Sequence, residues 1–387
     1  MIAFSTRRCT IRAFCSMLLL LTASVCPLAG VSSGEGTWTW TTETVDQAGE
    51  FTSLAADKDG NLHVSYSTGT GAIKYAFRQA ETGKWFTRVV DSGEAYTDLA
   101  LDSQGNPHIC YPFRVMKYAN WDGKTWKVQT IATDTARIAF SCAVEVSPDG
   151  VPHLIWYRDQ NADNSLFTHL KYAELKDGVW AVRTVDWDTQ TGKFESMTLD
   201  SHGNPVLSYD AWVKGELKFA RWDGNAWDIR TVDDRGRAGN SYNIGMGNSI
   251  ALDSHDQALI SYEERNVLKL ARQQGSRWAI EKVDTINTLG GWVGFRTSLA
   301  LDRQGFPHIA YDDAGTLKHA FWDGQKWHIE VIARRGADPT RYCSIAIDAN
   351  DVLYISYRDP DDGSLRLAIG RKPEQQQRAE MKSKDAN

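Results

Sequence analysis

The sequence contains little of what marks a membrane protein or a nucleic-acid-binding protein. Beyond an apolar run from Ala13 to Ala23, no stretch is long enough to cross a bilayer. Positive charge is in deficit, because 43 Lys and Arg face 49 Asp and Glu, a net charge of −6. An acidic chain is not suited to bind nucleic acid or an anionic membrane surface, so we expect neither partner.

Cysteine is also scarce. Three of the six cysteines fall within the first 30 residues. The others, Cys110, Cys142 and Cys343, are odd in number, and their spacing is unlike that of a metal site. We expect them to be buried small apolar residues, and we expect no cofactor.

The N-terminus has the pattern of an export signal. Arg7, Arg8 and Arg12 precede the apolar run, and small residues follow it at 27–30. Residues 1–30 are therefore predicted to be a signal peptide, which places the protein in the periplasm or outside the cell. Their removal takes away three positive charges and no negative ones, and changes the net charge from −6 to −9. At the other end, the polar segment 372–387 is predicted to be a disordered tail.

Two aromatic series repeat along the chain. In the first series, a tryptophan is followed five residues later by a β-branched residue. In the second series, an aromatic residue ends a short segment in which apolar and polar residues alternate. The first series is Trp40, Trp85, Trp126, Trp180, Trp227, Trp278 and Trp327, and the second is Tyr66, Tyr111, Trp156, Tyr209, Tyr262, Tyr311 and Tyr357. The chain opens on a Trp segment and closes on a Tyr repeat. We therefore predict, for residues 37–371, an all-β, seven-bladed propeller of four-stranded antiparallel blades whose N-terminal strand completes the last blade.

Charged residues follow the same repeat. The third strand of each predicted blade carries a Lys or Arg at the same position. These residues are Lys74, Lys117, Lys171, Lys218, Lys269, Lys318 and Arg366. Acids commonly end the strand before it: Asp159, Asp210, Glu263, Asp312 and Asp359. We interpret the two series as ion pairs within one hairpin, each stabilising by less than about 1 kcal/mol where exposed.

The repeat units carry a family resemblance. Segments of the form Leu-Asp-Ser-x-Gly-Asn-Pro-His-Ile-x-Tyr and Leu-Lys-Tyr-Ala-x-Trp-Asp-Gly-x-x-Trp resemble repeats of secreted seven-bladed propellers related to the sialidase-like superfamily. The turns that begin at Trp121, Trp222 and Trp322 look like variants of its Asp-box. The resemblance implies a fold, and it implies that these turns lie on the face away from the ligand.

The same resemblance implies two enzymatic activities, and the sequence departs from both. Sialidases have six blades and an Arg-Ile-Pro-type motif that binds the substrate carboxylate, which this sequence lacks. Propeller polysaccharide lyases use His and Tyr on the ligand face, and here His169 alone falls in a loop on that side.

Loops on one rim of the predicted ring vary in length and composition, which is typical of ligand-binding loops on a rigid scaffold. The longest span 233–248 and 284–297, followed by 186–195 and 158–169. They combine aromatics with arginines, whose planar fork suits carboxylate or sulfate groups. The candidate ligand-binding residues are Trp187, Arg235, Arg237, Tyr242, Trp292, Arg296 and Arg341. Pairing of these arginines with loop acids is the alternative.

The candidate catalytic residues are Glu145, Glu195, Tyr242 and His169. Glu145 stands where most blades have Ala in the inner strand; there, burial would raise its pKa, or a neighbouring Arg would pair with it. The sequence does not show two carboxylates facing each other, so it predicts no glycosidase pair.

The leading interpretation is a monomeric binding module that takes an acidic or sulfated glycan, or another extracellular ligand, on the variable-loop rim. Two alternatives remain: a glycan-cleaving enzyme, either a polysaccharide lyase or a sialidase-like hydrolase, and a protein-interaction scaffold. A Ca²⁺ site at Asp159, Asn161 and Asp163 is a minor option, because oxygen-bearing side chains alternate there without a full calcium loop.

Overall fold

The computed structural model describes residues 38–113, 115–132, 138–159, 168–188, 191–211, 214–234, 244–286, 297–334, 342–359 and 361–373. These residues form seven four-stranded antiparallel sheets. The prediction of an all-β, seven-bladed propeller is confirmed. The predicted signal peptide and C-terminal tail lie outside the described residues, apart from Lys372 and Pro373. No helix in the described ranges has the length and apolar character of a membrane span.

Each blade is a meander of four sequential strands. Blades one to three consist of β2 (Glu50–Ala56), β3 (Leu62–Ser67), β4 (Ala72–Arg78) and β5 (Trp85–Ser92); β6 (Asp98–Leu101), β7 (Pro107–Phe113), β8 (Val115–Trp121) and β9 (Trp126–Ala132); and β10 (Ile138–Val146), β11 (Pro152–Asp159), β12 (Thr168–Lys176) and β13 (Val179–Asp186). Blades four and five consist of β14 (Thr191–Leu199), β15 (Pro205–Ala211), β16 (Glu216–Trp222) and β17 (Trp227–Asp233); and β18 (Ile244–Leu252), β19 (Ala258–Glu264), β20 (Val267–Gln274) and β21 (Arg277–Thr285). Blade six consists of β22 (Ser298–Leu301), β23 (Pro307–Asp313), β24 (Thr316–Trp322) and β25 (Trp327–Ala333), and blade seven of β26 (Cys343–Ile347), β27 (Leu353–Arg358), β28 (Leu365–Arg371) and β1 (Thr39–Asp46).

The first strand closes the ring. β1 pairs antiparallel with β28, so the order in blade seven is β26, β27, β28, β1. Opposite Trp40, β28 carries Gly370, and a Cβ at that position would lie 2.7 Å from the Trp40 ring. Glycine therefore lets the indole rest on the backbone of the last blade. The predicted closure by the N-terminal strand is confirmed.

The hydrophobic core is distributed between neighbouring blades. One cluster combines Leu54 and Tyr66 of blade one with Leu365 and Tyr354 of blade seven, and the other clusters repeat this pattern around the ring. The strand-ending aromatics of the second repeat series are buried, with at most 3% exposure. The repeat residues thus form the contacts between blades.

A Tyr–Asp–Lys triad bridges successive blades. Asp186, at the end of the outer strand of blade three, accepts hydrogen bonds in blade four from Tyr209 Oη at 2.9 Å and Lys218 Nζ at 2.8 Å. Four more triads of the same kind are described: Asp46 with Tyr66 and Lys74, Asp91 with Tyr111 and Lys117, Asp233 with Tyr262 and Lys269, and Asp284 with Tyr311 and Lys318. In each triad the acid comes from one blade and the Tyr and Lys from the next.

The predicted pairing within one hairpin is therefore wrong for most of these lysines. Arg366 does pair with Asp359 of its own blade, 3.4 Å away. Lys269 and Lys318 also contact Glu264 and Asp313 of their own blades, in addition to the Asp of the preceding blade. The prediction failed because the outer strand of one blade lies against the middle strands of the next.

The cysteine prediction is also wrong in part. Cys110 of β7 and Cys142 of β10 form a disulfide between blades two and three, with Cα atoms 6.3 Å apart. The two strands lie side by side although 32 residues separate the cysteines. Cys343 is buried, as expected. The export-type N-terminus was the signal that could have indicated a disulfide.

Removing the disulfide should lower the stability of the ring. For a loop of 32 residues, chain entropy gives a loss in the free energy of unfolding of about 3–4 kcal/mol for Cys110→Ala/Cys142→Ala. Urea unfolding without reductant measures this loss. Cys343→Ala is the matched control, and reductant should destabilise the wild type but not the double variant. Equal unfolding midpoints with and without reductant would contradict this assignment.

Breaking one buried triad should destabilise the fold more than breaking an exposed ion pair. Lys218→Met leaves the buried Asp186 carboxylate without its cation, and we expect the free energy of unfolding to fall by about 3 kcal/mol. Lys58→Met is the control, since Lys58 pairs with Asp59 on the surface and its removal should leave the unfolding midpoint nearly unchanged. Equal effects of the two substitutions in urea unfolding would show that the triads do not hold the blades together.

Candidate functional site

The inner strands surround a cavity of about 190 Å³ on the ring axis. Its lining comes from the inner strands and from residues just before them, and these strands start at the rim that carries the variable loops. Every blade contributes to it. The cavity is therefore a site that only the closed ring creates.

A ring of side chains joins the inner strands around this cavity. At six interfaces of the described chain, a side chain of one inner strand accepts a hydrogen bond from a backbone N–H of the next. The acceptors are Ser53, Asp98, Ser196, Ser249, Ser298 and Ser344, with N···O distances of 2.9–3.2 Å. Blade three has Ala143 at this position, and there Ser141 Oγ instead donates to Glu195 Oε2 of blade four, at 2.9 Å.

Two bulky residues adopt left-handed backbone conformations at the start of inner strands. Phe51 has φ 54° and Phe194 has φ 52°, values that side chains of this size rarely adopt and that cost of order 1–3 kcal/mol. The next blade binds each carbonyl: Thr97 Oγ1 donates to Phe51 O at 2.9 Å, and Asn248 Nδ2 donates to Phe194 O at 2.5 Å. Backbone strain of this kind clusters at functional sites.

Three carboxylates line the cavity: Asp98, Glu145 and Glu195. Glu145 lies two residues further along its strand than the serine-ring position, which Ala143 occupies in blade three, and it makes no hydrogen bond or ion pair within the described ranges. Burial and, to a smaller extent, the nearby charge of Asp98 together raise the pKa of Glu145 to about 8. Glu145 is therefore largely protonated at neutral pH and can donate a proton or a hydrogen bond. Glu195 is 2% exposed.

Aromatic side chains cover one side of the same cavity. Phe51 and Tyr96 have ring centroids 4.2 Å apart, and Tyr96 and Tyr342 have centroids 4.7 Å apart. The two tyrosine hydroxyls lie 2.5 Å from each other. Blades one, two and seven thus supply an aromatic wall with hydroxyl groups, opposite the carboxylates of blades three and four.

A second feature lies on the outer part of the same rim. Trp187, directly after β13, is 73% exposed. Its ring centroid lies 5.3 Å from the ring of His169, and Lys171 Nζ lies 5.6 Å from the indole centroid. His169 is itself buried. Trp187 therefore forms an exposed indole shelf with a cation beside it.

The structure places the described candidates in two groups. Glu145 and Glu195 line the axial cavity, whereas His169 and Trp187 form the shelf. The remaining candidates lie outside the described residues and stay predictions: Arg235, Arg237, Tyr242, Trp292, Arg296 and Arg341.

Nothing in the structure tests the calcium option. Asn161 and Asp163 lie outside the described residues, and of Asp159 only the backbone is described. Within the described ranges, no cluster of three or more His, Cys, Asp or Glu side chains has the geometry of a metal site.

Sequence reasoning missed Asp98, Asn248 and Tyr342. An alignment of the seven inner strands contains the signal for Asp98, because five blades have Ser at that position. Tyr342 directly precedes an inner strand, where loop length varies and repeat alignment gives no register. Asn248 lies within β18, next to a register shift that the repeat does not predict.

No protein-family model matches the chain, and comparison with curated proteins finds no match. Several solved structures are similar in fold. A mutant of Aleuria aurantia lectin in complex with α-methyl-L-fucoside has a TM-score of 0.52 and 16% identity, covering 76% of this chain and 97% of the lectin. The β-propeller domain of Cps50 (Swd1) from Myceliophteria thermophila has a TM-score of 0.54 and 9% identity, with 86% and 99% covered. AofleA from Arthrobotrys oligospora has a TM-score of 0.51 and 13% identity, with 81% and 94% covered.

At these identities the likenesses show a shared propeller fold. The similar structures include lectins and a protein described only as a propeller domain, so the fold does not select a function. The resemblance to the sialidase-like superfamily remains an expectation from the repeat sequences.

The protonation of Glu145 should appear in the pH dependence of stability. Its folded-state pKa of about 8 lies above the ordinary value of 4.5, so folding is penalised progressively as pH rises through that window. Relative to Glu145→Gln, the wild type should lose roughly 2 kcal/mol between pH 4.5 and 8, after discounting for solvent access through the cavity. Urea unfolding at several pH values measures this difference, and parallel profiles for the two proteins would contradict it.

Proposed function

We propose that the protein is a carbohydrate-binding propeller that recognises acidic or sulfated glycans on its variable-loop rim. The observation that carries the proposal is the exposed indole of Trp187 with the Lys171 ammonium beside it. An indole offers a large apolar face on which the C–H face of a sugar ring can stack, while its edge stays solvated. Solved lectins of similar fold, one of them in complex with α-methyl-L-fucoside, support the ligand class.

Cations lie close to the indole. Lys171 Nζ lies 5.6 Å from the Trp187 centroid, and Lys214 and Lys218 pair with Asp186 and Asp188, which flank Trp187. A cation beside a stacking aromatic suits the carboxylate or sulfate of an anionic glycan.

The predicted arginines extend the proposal along the same rim. Arg235, Arg237, Arg296 and Arg341 belong to the variable loops of this rim, and guanidinium groups bind sulfate and carboxylate through paired hydrogen bonds. We include them in the proposed surface, together with Tyr242 and Trp292.

Removing the indole should weaken glycan binding. We expect Trp187→Ala to bind acidic polysaccharides about 10- to 30-fold more weakly, the loss found for a central aromatic contact. Lys171→Met should weaken binding of sulfated glycans while leaving their desulfated forms unaffected. Calorimetry on a panel of acidic polysaccharides, each paired with its desulfated or carboxyl-reduced form, measures both effects.

Phe86→Ala is the matched control, because Phe86 is 52% exposed on the outer strand of blade one, away from this rim's loops. Unchanged affinity of Trp187→Ala and of Arg237→Ala/Arg296→Ala for every acidic polysaccharide would refute the proposal.

New reducing ends after incubation of a polysaccharide with the wild type would show that the protein cleaves glycans. Loss of this cleavage in Glu145→Gln would assign the activity to the axial cavity.

A further inference from the structure

One carboxyl group in the axial cavity has no partner in the described ranges. Glu145 makes no hydrogen bond or ion pair there, whereas Asp98 and Glu195 both accept hydrogen bonds from side chains or backbone of neighbouring strands. Buried polar groups in folded proteins are nearly always hydrogen-bonded, so an enclosed carboxyl group without a partner points to a missing one.

The packing of the inner strands does not require this carboxyl group. At the equivalent position the other six blades have small side chains: Ala55, Ala100, Thr198, Ala251, Ala300 and Ala346. The ring thus closes with a methyl group at this level in five blades. Among the lining residues, Glu145 lies furthest along its strand from the variable-loop rim, and the accessible part of its surface faces the cavity. The carboxyl group therefore serves the cavity and not the contact between blades.

An aromatic cluster lines the same cavity. It consists of Phe51, Tyr96 and Tyr342, whose ring centroids lie 4.2, 4.7 and 5.0 Å from one another. The planes of the three rings meet at 41°, 79° and 65°, so no two of them are parallel. Clusters of non-parallel aromatic rings bind quaternary ammonium groups in proteins, because the ring quadrupole attracts a weakly hydrated cation.

The charge of the lining also favours a cation. Among the described residues, the lining contains three carboxyl groups, those of Asp98, Glu145 and Glu195, and no Lys, Arg or His. Burial, with a smaller contribution from the charge of Asp98, raises the pKa of Glu145 to about 8. A cation inside the cavity would reverse this effect, since it would pair with the ionised form of Glu145.

The size and the chemistry of the lining suit an organic cation and not a metal ion. Within the described residues, no group of three or more His, Cys, Asp or Glu side chains could hold a metal. The cavity volume of about 190 Å³ is larger than the roughly 150 Å³ in which a protein cavity takes up benzene. A small alkylammonium ion therefore fits, with its alkyl groups against aromatic side chains.

We propose that the axial cavity binds one small organic ammonium ion, whose charge pairs with Glu145 and whose alkyl groups contact Phe51, Tyr96 and Tyr342. The site lies on the ring axis, apart from the Trp187 shelf. It does not depend on the proposed glycan binding.

Calorimetry with the full chain tests the site. The probes are choline, tetramethylammonium and the neutral isostere of choline in which carbon replaces nitrogen. At pH 8 the wild type should bind one equivalent of an ammonium probe, and the neutral isostere about tenfold more weakly or not at all. Glu145→Gln keeps the shape of the cavity and should weaken ammonium binding about tenfold or more. Glu94→Gln is the matched control, because Glu94 is exposed on the same rim outside the cavity lining and should bind as the wild type does.

Proton release distinguishes pairing with Glu145 from simple filling of the cavity. Since the cation favours the ionised carboxylate, binding below pH 8 should release a proton, and affinity should rise by up to about tenfold per pH unit towards pH 8 and then level off. Strands packed against β10 carry further titratable groups at this level: Asp98, His108, His153 and Glu195. Burial lowers the pKa of both histidines from 6.5, so they stay neutral across this window. Glu145→Gln should abolish both the proton release and the pH dependence.

Three results would each overturn the proposal: no binding of either ammonium probe, equal affinity for the neutral isostere, or unchanged affinity in Glu145→Gln. Binding of K⁺ or Ca²⁺ alone would also overturn it and assign the cavity to an inorganic ion. Trp187→Ala should bind choline as the wild type does, and Glu145→Gln should bind acidic glycans as the wild type does. The two sites therefore fail or succeed separately.

Discussion

The ring depends on an aspartate that five of the seven blades present to the blade that follows. The carboxylate at the end of an outer strand accepts hydrogen bonds from a tyrosine and a lysine of the following blade, and at Asp186 both partners are at most 8% exposed. A buried carboxylate without its cation is costly, so the position of one blade determines that of its neighbour. The same contact repeats around the ring, and the pairing of β1 with β28 closes it.

The contacts between blades determine which parts of the ring can carry functional residues. Because contacts between blades fix the middle strands, loops at the start of inner strands are free to vary, and they carry Trp187. The inner strands converge on the axis, where Glu145 and Asp98 are held close enough for the charge of one to affect the pKa of the other. On the opposite rim, a groove between blades five and six brings Arg272 and Trp322 together. The axial cavity is lined by all seven blades, so it exists only in the closed ring.

The sequence predicted the features of the fold that follow from its repeats. The Trp and Tyr series gave the blade number and the closing strand, because both follow from residues that repeat and from one unmatched strand at each end. The period did not reveal partners from different repeats. The lysines were assigned to acids of their own hairpin, whereas Asp186 and its equivalents belong to the preceding blade. For the same reason, the Cys110–Cys142 disulfide was missed, and so was the meeting of Arg272 with Trp322. Glu145 was found because it interrupts the repeat, and Glu195 because it belongs to a variable loop of the sequence.

The fold holds an exposed indole and a lysine together on the variable-loop rim, and we propose that they bind an anionic glycan. A crystal structure of the protein soaked with a sulfated oligosaccharide would locate the bound ligand. We expect density for a sugar ring against Trp187, with a sulfate near Lys171. Density only in the axial cavity, or only on the opposite rim, would refute the proposed site.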